Sequence, residues 1–300
     1  MNNLDRKSNE ERSIIDLLCM GFQNLVLLGH YSYKEAKEKL EMHQHTNMLE
    51  ICFLDSGSQY YFVGEELYLL KGGDLLITPP NILHGTSSFP EEKGSLFWLI
   101  IKVPEVPFRI LNLNETESKQ LIDSILGLEN RHFKGGGNVR KLLYAILKSH
   151  SQQNDKLRKV KIQNDLLSFL LTVISTGEKY QDKGVSHDIQ ICCDFIKSNI
   201  CEKLYIKELA TKVRLSESRF KHKFKEEVGL PPNEYIIKQK INIAKDILIR
   251  ENISITNLAY DLGFSNSSYF SSVFKKYTGV SPVFFKRQPK ILERNITKSI

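Results

Sequence analysis

The hydrophobic pattern of the chain changes along its length and divides it into regions. From about residue 22 to 103, short apolar or alternating runs such as MLEICFLDSG and EELYLLKGGDLLITPP are interrupted by glycine and proline. This pattern predicts strands in an antiparallel barrel or sandwich. From about 115 to 177, apolar residues recur at spacings of three and four, which predicts helices, with Gly135–Gly137 as a break between them.

A polar stretch at 178–188 predicts a linker, and helical patterns follow it. The helical part contains an internal repeat at an offset of 49 residues that becomes 50 beyond its serine. The paired positions are Leu209 and Leu258, Ala210 and Ala259, Ser216 and Ser265, Phe220 and Phe270, Phe224 and Phe274, and Gly229 and Gly279.

Each copy of the repeat has the features of a helix-turn-helix unit. The alanine allows two helices to approach closely, the serine is expected to cap the second helix, and the two phenylalanines share its core face. Gly263 occupies the turn of the second copy, where a left-handed backbone is expected. Arg214 occupies that position in the first copy, and a left-handed backbone there would cost about 1 kcal/mol of stability.

A further helix is predicted between the copies, after Pro231–Pro232, because Ile237, Ile241, Ala244 and Leu248 form one stripe. It would be a rigid spacer. We expect it to hold the two reading helices about 34 Å apart, one turn of DNA.

The positive charge is concentrated in the helical C-terminal region. The chain carries a net charge of +7, and residues 181–300 hold 21 Lys and Arg against 13 Asp and Glu. A basic region attached to a nearly neutral one favours a polyanionic partner, because phosphate contacts release counterions.

No signal peptide or membrane-spanning run is evident, so the sequence predicts a cytoplasmic protein without a membrane partner. Its five cysteines, Cys19, Cys52, Cys192, Cys193 and Cys201, lack metal-site spacing and fit a reducing compartment. Cys192 and Cys193 are interpreted as small core residues, with a redox switch as the alternative.

The repeat resembles the DNA-binding domain of the AraC/XylS family of bacterial regulators, most clearly in LAYDLGFSNSSYFSSVFKKYTGVSP at 258–282. Lys240 and Lys286 stand where that family commonly has arginine. The β-region resembles the family's cupin sensor: His43, His45, Glu50 and Gly57 are similar to the first cupin motif, and Gly73, Pro79 and His84 to the second. Asn81 replaces a glycine of the second motif and also tolerates a left-handed turn.

The resemblance implies an α+β multidomain protein. A cupin-like antiparallel barrel at 1–110 would precede a helical dimerisation region at 111–177, the linker at 178–188 and an all-α tandem helix-turn-helix domain at 189–290. The predicted function is a DNA-binding transcriptional regulator controlled by a small-molecule effector. A metal-dependent cupin enzyme fused to a DNA-binding domain is the alternative; no catalytic residue is assigned. A structural RNA- or membrane-binding protein has little support.

The expected DNA contacts lie opposite the phenylalanines, and the first helix should dominate discrimination because it offers cations, whereas the second offers mainly hydroxyls. They are Ser218, Arg219, Lys221, His222 and Lys225 on the first helix, and Asn266, Ser267, Ser268, Tyr269, Ser271, Ser272, Lys275 and Lys276 on the second.

His43 and His45 would share one face of a strand and could meet Glu50 and His84. These residue types hold iron, manganese or zinc, but they also bind hydroxyl groups, and we favour a metal-free pocket for an effector such as a sugar, with no cofactor. His30, His132, His150 and His187 are interpreted as surface residues.

A homodimer is expected through apolar stripes on the helices after the barrel. These stripes comprise Leu142, Leu143, Ile146, Leu147, Leu166, Leu167, Leu170 and Leu171. The family resemblance also allows RNA polymerase as a partner.

Overall fold

The computed structural model describes residues 7–180 and 184–287 and divides them into two compact units. The first contains the described residues of Met1–Ser32, Glu41–Gly85 and Gly94–Asp182, and the second those of Tyr33–Leu40, Thr86–Lys93 and Lys183–Ile300. Residues 1–6 of the predicted barrel region, 181–183 of the predicted linker and 288–290 of the predicted DNA-binding domain lie outside the described residues.

The first unit contains eight described strands that form an antiparallel sheet. They are β1 (Arg12–Asp16), β2 (Leu25–Tyr33), β3 (Met48–Val63), β4 (Glu66–Lys71), β5 (Asp74–Thr78), β6 (His84–Gly85), β7 (Gly94–Lys102) and β8 (His132–Lys134). The strand order is β1-β2-β7-β3-β5-β8, and β4 and β6 also pair with β3.

The 16-residue strand β3 organises this sheet. Its first half pairs with β5 and β7, and its second half pairs with β4 and β6. The register against β7 shifts between Leu54 and Ser56, next to Gly57 with its φ of 94°. A local irregularity of this kind bends a strand, so β3 contributes to both parts of the sheet.

The fold is cupin-like, as predicted, but among the described strands the sheet does not close into a complete barrel, because β1 and β8 remain at opposite ends of the strand order. Strand β1 was not predicted, since it precedes the alternating pattern that begins near residue 22.

Three helices cover one face of the sheet: α1 (Glu115–Leu126), which precedes β8, and α2 (Gly136–Ser151) and α3 (Arg158–Lys179), which follow it. The predicted glycine break marks the start of α2, and Asn114 caps α1 in a reciprocal pair of hydrogen bonds with Glu117.

The stripes that were expected to form the dimer interface are largely packed inside this unit. Leu143, Ile146, Leu166 and Leu170 are buried in the core against the sheet, and Leu142, Leu147 and Leu167 are partly buried beside them. Of the predicted set, Leu171 alone is exposed, at 52%. The buried members of these stripes were therefore wrongly assigned to a dimer interface, because the sheet already covers them.

The second unit contains the helices α4 (His187–Ser198), α5 (Ile206–Lys212), α6 (Glu217–Val228), α7 (Pro232–Arg250), α8 (Ile255–Asp261), α9 (Ser267–Thr278) and α10 (Pro282–Arg287). The internal repeat is structural: α5 and α8 have seven residues each, and α6 and α9 have twelve. Left-handed glycines end both longer helices, Gly229 at a φ of 82° and Gly279 at 78°.

Phe220 and Phe224 pack in one core of this unit with the thiols of Cys192 and Cys193, while Phe270 and Phe274 pack in a second core. Ile241, Ala244 and Leu248 of the predicted stripe on α7 are buried in this second core. Within the described ranges, no helix has the length and apolar character needed to cross a membrane.

Candidate nucleic-acid interface and sensor site

The two helix-turn-helix turns have nearly the same backbone. Gly263 has a φ of 68°, which confirms the left-handed turn expected there, and Arg214 keeps the same conformation with a φ of 55°. Equivalent hydrogen bonds close the turns: Leu215 N donates to Ala210 O at 3.0 Å, and Phe264 N donates to Ala259 O at 2.9 Å. The first turn therefore keeps the geometry of the second without its glycine.

The caps of the two reading helices differ. Ser216 Oγ accepts a hydrogen bond from Arg219 N at 3.3 Å and caps α6, as predicted. The corresponding prediction for Ser265 was wrong, because Asn266 caps α9 and its Oδ1 accepts from Tyr269 N at 2.7 Å. The residue added in the second copy lies before the cap, so the cap follows the 50-residue offset and not the 49-residue one.

Helix α6 presents all five of its predicted DNA-contacting residues to solvent, opposite the buried Phe220 and Phe224. The five are Ser218, Arg219, Lys221, His222 and Lys225. Two of them have acidic neighbours that sequence reasoning had passed over: Lys221 pairs with Glu217, and His222 Nδ1 lies 3.8 Å from Glu226 Oε2. Both pairs have the i,i+4 spacing that would have revealed them. Because both ion pairs are exposed to solvent, breaking them costs little free energy, so Lys221 and His222 can contact a phosphate or a base edge instead.

Helix α9 presents a more neutral surface. The exposed residues of the predicted set are Asn266, Ser268, Tyr269, Ser272, Lys275 and Lys276, while Ser267 and Ser271 are partly buried. The side-chain oxygen of Asn266 is already used by the helix cap. Lys275 and Lys276 lie in the last turn of the helix.

Lys240 and Lys286, which stand where the family commonly has arginine, both donate to backbone carbonyls. Lys240 is buried, and its Nζ lies 2.7 Å from Leu262 O and 3.5 Å from Glu202 O. Burial lowers its pKa, and the nearby Cys201 opposes that shift. Lys286 Nζ donates to Ile253 O at 2.6 Å. Neither position requires the two-pronged geometry of arginine for these contacts.

In the first unit, the structure brings His43, His45, Glu50 and His84 together. One potential ligand atom from each residue lies within 4.8 Å of the others. His43 and His84 face each other in an isolated antiparallel bridge, with His43 N donating to His84 O at 2.9 Å and His84 N to His43 O at 2.7 Å. Asn81 has the left-handed backbone expected of it, with a φ of 63°.

The carboxylate of Glu50 is buried at the centre of this cluster. Its Oε2 lies 3.3 Å from His45 Nε2 and 3.7 Å from His84 Nε2. Its Oε1 accepts from Tyr61 Oη and Cys52 Sγ, both at 3.2 Å. Sequence reasoning missed these two donors. Cys52 could have been found because it is two residues from Glu50 on one strand, whereas Tyr61 reaches the site only through the bend of β3.

Burial and mutual contact shift the ionisation of the cluster in opposite directions. Burial would raise the pKa of Glu50, but His45 and His84 together hold it well below its usual value. Burial would lower the pKa of His84, but Glu50 raises it. The pKa of His43 is lowered, mainly by burial. The carboxylate is therefore charged at neutral pH.

Two other histidines contradict the surface interpretation, because strand pairing places them beside partners distant in sequence. His30 is partly buried in β2, where its Nε2 lies 2.9 Å from Ser95 Oγ and its ring stacks on Phe97. His132 in β8 pairs with buried Asp74 at 2.9 Å. His150 is half-buried on α2, and His187 is exposed.

Two family models match the chain. The model described as an AraC-like ligand binding domain matches residues 28–160, and the model of a helix-turn-helix domain matches residues 209–288. The first covers the four-residue cluster, and the second covers both turns and both reading helices.

Curated relatives are matched over most of the chain. The chain is 24% identical to the uncharacterised HTH-type transcriptional regulator YfiF of Bacillus subtilis, over 82% of this chain and 78% of that protein. It is 23% identical to the arabinose operon regulatory protein of Escherichia coli, over 73% of each. Among solved structures, ToxT of Vibrio cholerae is 15% identical over 94% of this chain and 99% of that one, with a TM-score of 0.34.

Proposed function

Because the chain belongs to the AraC family of DNA-binding transcriptional regulators, with an AraC-like ligand-binding domain and a helix-turn-helix domain, we propose which residues carry each activity. Helices α6 and α9 would enter successive major grooves, and the cluster around Glu50 would be the effector site. The observation that carries the proposal is the duplicated unit, in which a buried phenylalanine pair leaves the opposite face of each helix to solvent. We further propose that the domain boundaries lie where the sequence predicted them.

The two reading helices would have different roles on DNA. On α6, Arg219, Lys221 and His222 would donate to base edges, supported by Ser218 and Lys225. On α9, the exposed hydroxyls of Ser268, Ser272 and Tyr269 would make short or water-mediated contacts, and Lys275 and Lys276 would neutralise phosphates. The capping Asn266 and the partly buried Ser267 would contribute through the helix N-terminus, and Ser271, one turn further along, would contribute through its hydroxyl.

This division of roles can be tested by selecting bound duplexes from a random DNA library with the full-length protein. We expect one motif with two half-sites about one helical turn apart. A double variant, Lys221→Ala/His222→Ala, should lose preference within one half-site and keep it in the other. The matched variant Lys207→Ala on α5 also removes an exposed lysine and should select the wild-type motif. Selection of no motif by the wild-type protein would contradict the proposal.

The proposal makes the first unit a sensor and not an enzyme. The relatives matched over most of the chain are named as transcriptional regulators, and the only function we assign to the cluster around Glu50 is binding. We place this activity in the cytoplasm, where the DNA partner is found, and RNA polymerase would be contacted by the DNA-bound protein.

A homodimer is also part of the proposal, through the outer face of α3, which keeps Leu167 and Leu171 of the predicted stripes and leaves out their buried members. Val160 and Leu171 are 61% and 52% exposed, and Asn164, Leu167 and Ile174 continue the same stripe at spacings of three and four. Such a seam suits a two-stranded coiled coil, in which one polar residue sets the register. A two-fold axis would then bury the same surface on both subunits.

Sedimentation of the full-length protein tests this interface. We expect a dimer at micromolar concentration, a monomer for Val160→Glu/Leu171→Glu, and a dimer for the control Ser175→Glu, which changes an exposed α3 residue off the stripe. The same mass for all three proteins would contradict the proposed seam.

A further inference from the structure

We propose that Arg214, in the turn before α6, binds a phosphate of the DNA backbone at the edge of the half-site that α6 reads. The inference rests on the proposed function, because it adds a contact to the same DNA interface. It goes beyond the contacts predicted on the two reading helices, since Arg214 lies outside both of them. The ligand is a phosphodiester group of duplex DNA.

Arg214 is a strained residue, and the fold does not need an arginine there. Its φ of 55° lies in the left-handed region, which is unfavourable for a residue with a side chain and accessible to glycine. Backbone groups alone close the turn: Arg214 N donates to Thr211 O at 3.0 Å, and Leu215 N donates to Ala210 O at 3.0 Å. The equivalent residue in the second unit is Gly263. Strained residues often occur at binding sites, so this one suggests a role in binding.

The guanidinium group of Arg214 has no intramolecular partner in the part of the chain that the structure describes, and its side chain is exposed. Other cations of the same helix-turn-helix unit are already in contact with neighbouring groups. Lys212 Nζ lies 4.2 Å from the centre of the Phe195 ring. Lys221 pairs with Glu217. A guanidinium group presents a planar set of donors that matches two oxygens of one phosphate, so Arg214 is chemically suited to this ligand.

The position of Arg214 favours a phosphate over a base edge. Ser216 caps α6, so Arg214 lies two residues before the N-terminal end of this helix. The N-terminal residues of a reading helix contact base edges in the major groove. The segment that leads into that end therefore passes the sugar-phosphate backbone at the rim of the groove. A phosphate contact made there would fix the register of α6 on the duplex.

The second helix-turn-helix unit cannot make the equivalent contact. Gly263 has no side chain, and a Cβ atom at this position would lie 2.7 Å from Cys201 O. Arg214 would thus add one charged contact to the α6 half of the interface only. Because each phosphate contact releases counterions, the loss of one should reduce the slope of log affinity against log salt by about 0.9.

The test compares duplex binding by the full-length protein with that of Arg214→Ala and of the control Arg131→Ala, which removes an exposed arginine from the first unit. We expect Arg214→Ala to bind the selected motif and a random duplex about 10-fold more weakly, because a phosphate contact carries no sequence information. Its salt slope should fall as stated, and Arg131→Ala should bind as the wild-type protein does. Wild-type affinity of Arg214→Ala, or a loss confined to the selected motif, would overturn the proposal.

Duplexes with a single uncharged methylphosphonate locate the contact. One such replacement, beside the half-site whose preference is lost in Lys221→Ala/His222→Ala, should weaken binding of the wild-type protein about 10-fold and leave that of Arg214→Ala unchanged. Lys275→Ala should keep the wild-type sensitivity at this position. A scan of all phosphates of the motif that finds no such position would contradict the assignment.

The variant Arg214→Gly separates a lost contact from a damaged fold. Glycine relieves the backbone strain, so we expect the urea midpoint to rise while duplex affinity falls as in Arg214→Ala. Arg214→Lys keeps the charge and should keep the wild-type salt slope. A glycine variant that binds DNA as tightly as the wild-type protein contradicts only the phosphate contact, whereas a wild-type protein that binds no duplex contradicts the proposed function.

Discussion

The two helix-turn-helix units have the same backbone but are supported in different ways. In the second, Gly263 adopts the left-handed conformation, and the buried Lys240 donates to the carbonyl of the preceding residue, Leu262. In the first, Arg214 adopts that conformation with a side chain exposed to solvent. A duplicated fold can therefore keep its geometry while the residues that hold it diverge.

The difference at the turn reflects the space around it. A Cβ atom at Gly263 would lie 2.7 Å from Cys201 O and 3.1 Å from Lys240 Nζ, so no side chain fits without a shift. The second turn packs closely against its neighbours, whereas the first leaves room for an arginine side chain. Substitutions in the two turns should consequently have unequal effects on stability.

The largest expected effect is that of Gly263→Ala. The new methyl group meets a backbone carbonyl and also strains a left-handed residue, so we expect the free energy of unfolding to fall by about 2–4 kcal/mol. The control Arg214→Ala replaces one non-glycine residue by another and should change it by less than about 0.5 kcal/mol. Urea denaturation followed by far-ultraviolet circular dichroism measures both. Equal losses would mean that the two turns are equally constrained.

A somewhat smaller effect is expected for Lys240→Met, which keeps the unbranched apolar stem of the side chain and removes its ammonium group. Leu262 O would lose its ammonium donor inside the protein, and we expect a loss of about 1–3 kcal/mol. Lys207→Met removes an exposed lysine from α5 and should be nearly neutral. If Lys240→Met proved as stable as the wild-type protein, the buried ammonium would not support the second turn.

The sequence predicted the duplicated unit well because its signals are local. Buried phenylalanines four residues apart, a serine cap on α6 and the left-handed Gly263 depend on neighbours in the same helix or turn, and the structure confirms each of them. The cap of α9 was misplaced by one residue because a repeat offset does not show where an inserted residue falls.

The sensor site was predictable in part. His43 and His45 could be paired from strand periodicity alone, but their distances to Glu50 and His84 depend on how β3 bends and which strands it joins. The partners of His30 and His132 were missed for the same reason, since strand pairing brings Ser95 and Asp74 from distant parts of the chain. Leu143, Ile146, Leu166 and Leu170 were wrongly assigned to a dimer interface because an apolar helix face does not show whether a sheet or a second subunit covers it.

Because α6 offers cations and α9 mainly hydroxyls, substitutions on α6 should reduce discrimination between DNA sequences, and substitutions of the lysines on α9 should reduce affinity for any duplex. Lys221→Ala should cost about 1–3 kcal/mol on the selected motif and much less on random duplex, because a base contact is lost. Lys275→Ala should weaken both duplexes equally and reduce the slope of log affinity against log salt by about 1. Fluorescence anisotropy at several salt concentrations separates these outcomes. Equal losses on both duplexes for Lys221→Ala would contradict its role in reading bases.

The smallest expected effect is a gain in stability from Arg214→Gly. Glycine removes a left-handed strain of about 1–2 kcal/mol, but its greater freedom in the unfolded chain offsets part of this, so we expect a net gain of about 0.5–1 kcal/mol. Arg214→Asn should fall between the two, since asparagine tolerates this conformation better than arginine. Urea midpoints should therefore rise in the order Arg, Asn, Gly. A fall for the glycine variant would mean that the arginine side chain contributes more to stability than its backbone strain removes.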